Sequence, residues 1–76
     1  MLPNQRKIRV LVVDDSAVAR AFLIKGLSAY PYIEVVGYAI NALDAKAKIL
    51  RLHPDVMTLD VEMPGTNGID FLAQLL

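Results

Sequence analysis

Three aspartates each stand just after a short apolar run. Asp14 and Asp15 follow Ile8-Arg9-Val10-Leu11-Val12-Val13, and Asp60 follows Val56-Met57-Thr58-Leu59. Runs of this kind, rich in Val and Ile with a helical pattern between them, read as parallel strands. In an open parallel sheet, ligands bind beyond the carboxyl ends of the strands. If the two runs are neighbours, three carboxylates converge at that edge. Such a cluster repels itself and calls for a cation, a shared proton, or both. Oxygen donors of this kind suit magnesium, which takes one or two carboxylates together with waters and phosphate oxygens. A carboxylate beside that ion can act as a nucleophile. Taken singly, the residues have plainer uses. Asp15 or Ser16 can cap a helix. Asp60 is a weaker cap, because Pro64, Gly65 and Gly68 separate it from the next helical segment. The three together favour chemistry.

The elements that must position them follow from the pattern. Residues 8–13 form the first strand. A helix is predicted over 16–29, with Ala19, Phe22, Leu23, Gly26 and Leu27 on one face. Gly26 on that face implies a close approach of helix and sheet. Tyr30-Pro31 breaks the helix. The second strand is predicted over 33–38, and Glu34 near its start suits a sheet edge. Asn41 opens a second helix over 41–52. Its apolar stripe is Ala42, Ala45, Ile49 and Leu52, with Lys46, Lys48 and Arg51 outward. Basic residues gather toward its carboxyl end, as the helix dipole favours. His53-Pro54 ends it, with His53 as a capping or solvent residue, and Asp55 leads into the third strand, 56–59. Met57 and Met63 read as packing and loop residues, and Thr58 as structural. Pro64-Gly65 and Asn67-Gly68 are turn signals, and 69–76 begins a third helix. The order β-α-β-α-β-α with right-handed crossovers gives a parallel sheet.

Bulk properties narrow the function. Seventy-six residues allow one small domain, near the lower limit for a self-sufficient core. With 55% apolar and 21% charged residues, the chain is not a disordered tail. Eight basic and eight acidic residues balance. No charge-driven nucleic-acid or membrane surface is therefore expected. The absence of cysteine excludes disulfides, thiolate metal sites and cysteine nucleophiles. No apolar stretch reaches membrane-span length. The basic start is followed by too short a run for a secretory signal. A cytoplasmic location is expected.

The segments Val10-Leu11-Val12-Val13-Asp14-Asp15-Ser16 and Pro54-Asp55-Val56-Met57-Thr58-Leu59-Asp60-Val61-Glu62-Met63-Pro64-Gly65, at their spacing, resemble a response-regulator receiver domain. The resemblance runs from Lys7 onward. The spellings Leu59-Asp60-Val61-Glu62-Met63-Pro64 and Ile33-Glu34-Val35-Val36-Gly37 resemble in particular the receivers of chemotaxis methylesterases. The resemblance implies a flavodoxin-like (CheY-like), doubly wound α/β fold, of which the chain holds the first β-α-β-α-β-α portion. It implies that Asp60 accepts a phosphoryl group from a histidine kinase. It implies that Asp14, Asp15 and Asp60, with the backbone carbonyl of Glu62, hold Mg2+, and that the backbone amide of Val61 faces the phosphoryl group. The ion would neutralise charge on the transferring group.

The chain departs from the family pattern after the third strand. A Ser/Thr on a fourth strand and a Lys on a fifth have no counterpart here, since Lys25, Lys46 and Lys48 lie on predicted helices. Incomplete phosphotransfer and switching are expected of this truncated chain. Neither Ser16 nor Ser28 sits in a Gly-x-Ser-x-Gly elbow, so no methylesterase centre is expected in it. The family strand order 2-1-3-4-5 would leave Val56, Met57, Thr58 and Leu59 as an open edge. Such an edge is a template for pairing, and a homodimer or larger assembly through it is expected. Two other functions remain open. One is a self-association module without signalling. The other is a magnesium-dependent phosphotransferase, weakened because Asp60-Val61-Glu62 only loosely imitates an Asp-x-Asp pair.

Overall fold

The central strand β1, Ile8–Val13, carries the sheet. A computed structural model describes residues 6–60. Four further elements follow: helix α1, Ala17–Ser28; strand β2, Ile33–Ala39; helix α2, Ala42–Leu52; and strand β3, Val56–Leu59. The strand order is β2-β1-β3, and both pairings are parallel. This is the α/β receiver-like order expected from the sequence, with β2 and its Glu34 at one edge. β2 runs one residue beyond its expected end. Val10, Leu11, Val12 and Val13 are all buried, at 4% exposure or less. A strand covered on both faces needs a continuous apolar run, which is what this segment supplies.

One face of the sheet holds the better-packed layer. Leu11, Val13, Ala39 and Ala45 form its buried centre, with Ala42, Ile49, Leu52, Met57 and Leu59 packed around them. The expected stripe of α2 is the one that packs. Its amino end is closed reciprocally. The Asn41 side chain accepts from the Asp44 N–H at 2.8 Å, and the Asp44 carboxylate accepts from the Ile40 N–H at 3.1 Å. Each bond satisfies a backbone donor at or beside the helix start. At the other end His53 takes a left-handed conformation, φ 49°, and its N–H donates to the Ile49 carbonyl. It is the helix cap.

Close helix–sheet approach occurs at Gly37 rather than Gly26. A Cβ on Gly37 would lie 2.9 Å from Leu52 Cδ1. β1 and β2 also change register there: Val10 pairs with Val35 but Leu11 with Gly37, leaving Val36 as a bulge. Around Gly26 the space is open. The face expected for α1 is likewise corrected. Phe22 is 74% exposed and Ala19 is exposed, whereas Arg20, Ile24 and Leu27 are half-buried. The segment is apolar nearly all round, so periodicity cannot choose its face. Polar contacts of Arg20 choose it instead, as described below.

The amino end of β3 is clamped to β1. The Asp55 N–H donates to the Arg9 carbonyl, and the Arg9 N–H donates to Asp55 Oδ2, each at 2.8 Å. Arg6 adds a forked pair to the same carboxylate at 2.6 and 3.2 Å. Arg9 Nη1 donates to the His53 carbonyl at 3.0 Å. The Arg9 N–H, then the Arg6 guanidinium, hold the Asp55 carboxyl below its ordinary range. This end of the sheet therefore fixes where β3 starts, and so where it delivers Asp60.

Among the described residues β3 pairs with β1 alone. Thr58 Oγ1 is buried there without a hydrogen-bond partner among those residues. The expected third helix, 69–76, and the turns before it lie outside the described residues. No described helix is long and apolar enough to cross a membrane.

Candidate functional site

Register places the acids. Val13 of β1 pairs with Ala39 of β2 and with Leu59 of β3. The next residue after β1 and after β3 is an aspartate, so Asp14 and Asp60 leave the sheet side by side. The Asp60 N–H donates to the Val13 carbonyl at 3.3 Å, continuing the ladder by one rung. The Asp14 N–H donates to the Ala39 carbonyl at 3.0 Å. Asp14 is 7% exposed, Asp60 half-buried and Asp15 exposed. One carboxylate oxygen from each of the three lies within 4.8 Å of the others. The structure thus brings together the three residues singled out in the sequence. Val61 and Glu62, also expected at the site, lie outside the described residues.

The donor set fits a hard divalent cation. It consists of carboxylate oxygens alone, graded from buried to exposed, which leaves one side open for waters or a phosphoryl oxygen. Asp14 Oδ1 accepts from the Ser16 N–H at 2.8 Å, which fixes the buried carboxylate. Ser16 also caps α1, its Oγ accepting from the Ala19 N–H at 3.3 Å. The capping role weighed for Asp15 or Ser16 therefore falls to Ser16, and Asp15 is left facing the cluster.

Sequence reasoning missed two basic residues beside this edge. Arg20 Nη1 donates to the Asp14 carbonyl at 2.9 Å, and its guanidinium carbon lies 4.4 Å from the centre of the Tyr38 ring. Lys48 is not simply outward. Its Nζ donates to the Tyr38 carbonyl at 2.8 Å and pairs with Asp44 at 3.2 Å. The signal for Arg20 was available: a lone basic residue in the apolar first half of a helix, one turn after the cap.

Residues 10–76 match the response regulator receiver domain family, and the chain belongs to it. Receiver domains are phosphorylated by histidine kinases and generally bind Mg2+ at an acidic pocket. Within the family the similarity points to one kind of protein. The chain is 58% identical over 71 residues to the protein-glutamate methylesterase/protein-glutamine glutaminase of Syntrophotalea carbinolica, covering 93% of this chain and 20% of that protein. The corresponding protein of Hydrogenovibrio crunogenus is 54% identical over 70 residues, covering 92% of this chain and 19% of its own length. Among solved structures, the response regulator domain of Thermotoga maritima CheB superposes with a TM-score of 0.81 at 48% identity, over 92% of this chain and 52% of that one. The signal receiver domain of the putative response regulator NarL from Mycobacterium tuberculosis gives 0.79 at 36%, over 91% and 56%. The chain therefore spans about a fifth of the curated relatives it matches.

Proposed function

We propose that this chain is the opening portion of a CheB-like receiver and that Asp60 is its phospho-acceptor. The observation that carries the reading is the convergence of Asp14, Asp15 and Asp60 at the carboxyl edge of the sheet. Asp60 supplies a carboxylate oxygen that attacks the phosphorus of a phosphohistidine. A P–O bond forms, the P–N bond breaks, and the kinase histidine takes up a proton. Asp14 and Asp15, with Asp60 and the Glu62 backbone carbonyl, are the residues that would hold Mg2+. When bound, that ion neutralises charge on the phosphoryl oxygens. The family resemblance assigns the Val61 N–H to one of those oxygens, where it would donate a hydrogen bond. Because phosphoryl transfer depends mainly on positioning and electrostatics, residues held before substrate arrives matter most. Asp14, bonded through its N–H, carbonyl and carboxylate, meets that need.

The family's late Ser/Thr and Lys have no counterpart among these 76 residues. Likeness to protein-glutamate methylesterases supports a chemotaxis setting and a cytoplasmic location.

A second reading concerns assembly. The outer edge of β3 carries no pairing strand among the described residues, and the Thr58 hydroxyl beside it lacks a partner there. A homodimer or larger assembly through Val56, Met57, Thr58 and Leu59 would satisfy such an edge. Size-exclusion chromatography with light scattering tests this, and a monomer at high concentration would refute it.

The test of the main reading is intact mass after incubation with Mg2+ and a small phosphoryl donor. A single phosphoryl adduct is expected, absent in Asp60→Asn and in the presence of a chelator. No adduct at saturating donor would refute the assignment for this chain.

A further inference from the structure

Asp14 is tied at three points, and one of them controls its neighbour. Its N–H is bonded to Ala39, its Oδ1 to Ser16 and its carbonyl to Arg20. That carbonyl belongs to the peptide joining Asp14 to Asp15. A peptide is a rigid plane, so holding the C=O also holds the N–H and the start of the next residue. This plane fixes the position of the Asp15 Cα, the point from which its carboxylate leaves the chain.

The guanidinium that holds the plane is itself placed. Arg20 lies one turn after the Ser16 cap, with its N–H on the Ser16 carbonyl at 2.9 Å. Its head rests on the face of Tyr38, an arrangement favourable to a cation. Tyr38 is anchored by the Lys48 ammonium on its carbonyl, and that ammonium lies 5.4 Å from the ring centre. Residues from β1, α1, β2 and α2 thus form one connected brace ending on the Asp14–Asp15 peptide.

We propose that Arg20 is a positioning residue for the acidic cluster, locking the Asp14–Asp15 peptide so that the Asp15 carboxylate stays turned toward Asp60, with the Tyr38 ring as its platform. The inference rests on the cation-binding reading of the cluster and deepens it. Two effects of removing Arg20 oppose each other. Losing a positive charge near three carboxylates would tighten a divalent cation. Losing the lock would weaken it, because the ligand must then be ordered during binding. The guanidinium bonds a carbonyl rather than a carboxylate and shares its charge with a ring face, so the lock dominates. The sign of the change decides between them.

Isothermal titration of the full chain with magnesium chloride provides the test. Arg20→Ala is expected to raise Kd about tenfold, the usual scale for an outer partner of a metal ligand. Tyr38→Phe is expected to leave Kd unchanged, because the ring face is used and not the hydroxyl. Tyr38→Leu is expected to weaken binding in the wild-type background and add nothing on top of Arg20→Ala. In metal-free protein, the Asp15 amide nitrogen resonance should move in Arg20→Ala and Tyr38→Leu and stay in Tyr38→Phe. Leu27→Ala, on the same helix but remote from the cluster, is expected to lower Tm without changing Kd. An unchanged or tighter Kd in Arg20→Ala overturns the inference alone, as does an equal loss of affinity in Leu27→Ala. No magnesium uptake by the wild-type chain overturns the cluster reading, and this inference with it.

Discussion

Replacing Asp15 by Asn should stabilise the chain when no divalent cation is present. One oxygen from each of the three carboxylates lies within 4.8 Å of the other two. At that distance two unit charges repel by about 0.9 kcal/mol in water. Asp15 faces two partners, which makes about 1.7 kcal/mol. A Debye length of roughly 8 Å at physiological salt trims this to about 1 kcal/mol. Burial of Asp14 acts the other way: an effective dielectric near 20 would give roughly 3.5 kcal/mol per pair. Against this stands the loss of a negative charge just ahead of α1, worth about 0.3–1 kcal/mol. The net expectation for Asp15→Asn is a gain of about 0.5–2 kcal/mol. Asp15 is exposed, so the isosteric change leaves packing unaltered. Thermal unfolding in chelator, followed by circular dichroism, should show Tm rising by about 4–8 °C per kcal/mol. Added salt should shrink the difference. With magnesium at a hundred times Kd the wild type gains about 2.7 kcal/mol by mass action. The variant, one ligand short, gains less, and the order of stability reverses. A variant no more stable than wild type in chelator, or a gain indifferent to salt, would refute the reasoning.

Two further perturbations test the frame around the site. Asp55 and Asp44 are held below their unfolded value of 3.8, by the Arg9 N–H first and the Ile40 N–H first respectively. Their contribution is therefore present above that pH and is lost as pH falls through the lowered folded values. Asp55→Asn should flatten the acid limb of a Tm-against-pH curve, and a limb as steep as wild type would count against the clamp. The two glycines should respond in opposite directions to Ala. Gly26→Ala fills open space in a helix and should stabilise by about 0.5–1 kcal/mol. Gly37→Val drives atoms into Leu52 and should cost about 1–3 kcal/mol, with Gly37→Ala milder because the Leu52 side chain can turn aside. Urea unfolding of the three variants reads both signs.

The strands and α2 were legible because their patterns admit one reading. β1 is continuously apolar from Val10 to Val13 and buried on both faces there. In α2 the charged residues interrupt the apolar ones often enough to mark a single stripe. α1 offers no such contrast: Ala17, Val18, Ala19, Ala21, Phe22, Leu23 and Ile24 surround one arginine. Its orientation is decided by where Arg20 finds a carbonyl and a ring, which is a tertiary fact. The acidic cluster was legible because Asp14 and Asp60 each directly follow a strand, with Asp15 next to Asp14, so parallel pairing brings them together. The Asp55 clamp was not, because its partners Arg6 and Arg9 are 46 or more residues away. The same holds for Tyr38, whose ring has no meaning to the site until α1 is laid over β2.

The position of β1 between β2 and β3 has a consequence for how the chain reaches its fold. β1 is synthesised before both of its neighbours, yet neither of its edges can be closed until they arrive. Its pairing with β3 spans more than half of the described sequence, from Val10 to Val56. Contacts of such separation are slow to form, because loop closure comes before any reward. During that interval the most apolar segment of the molecule is the one with two open edges. Nascent or refolding chains should therefore be most vulnerable to mispairing at residues 8–13, and a chaperone that shields extended apolar segments would find its binding site there. The strand that ends as the best-protected part of the domain is also the part whose protection is completed last.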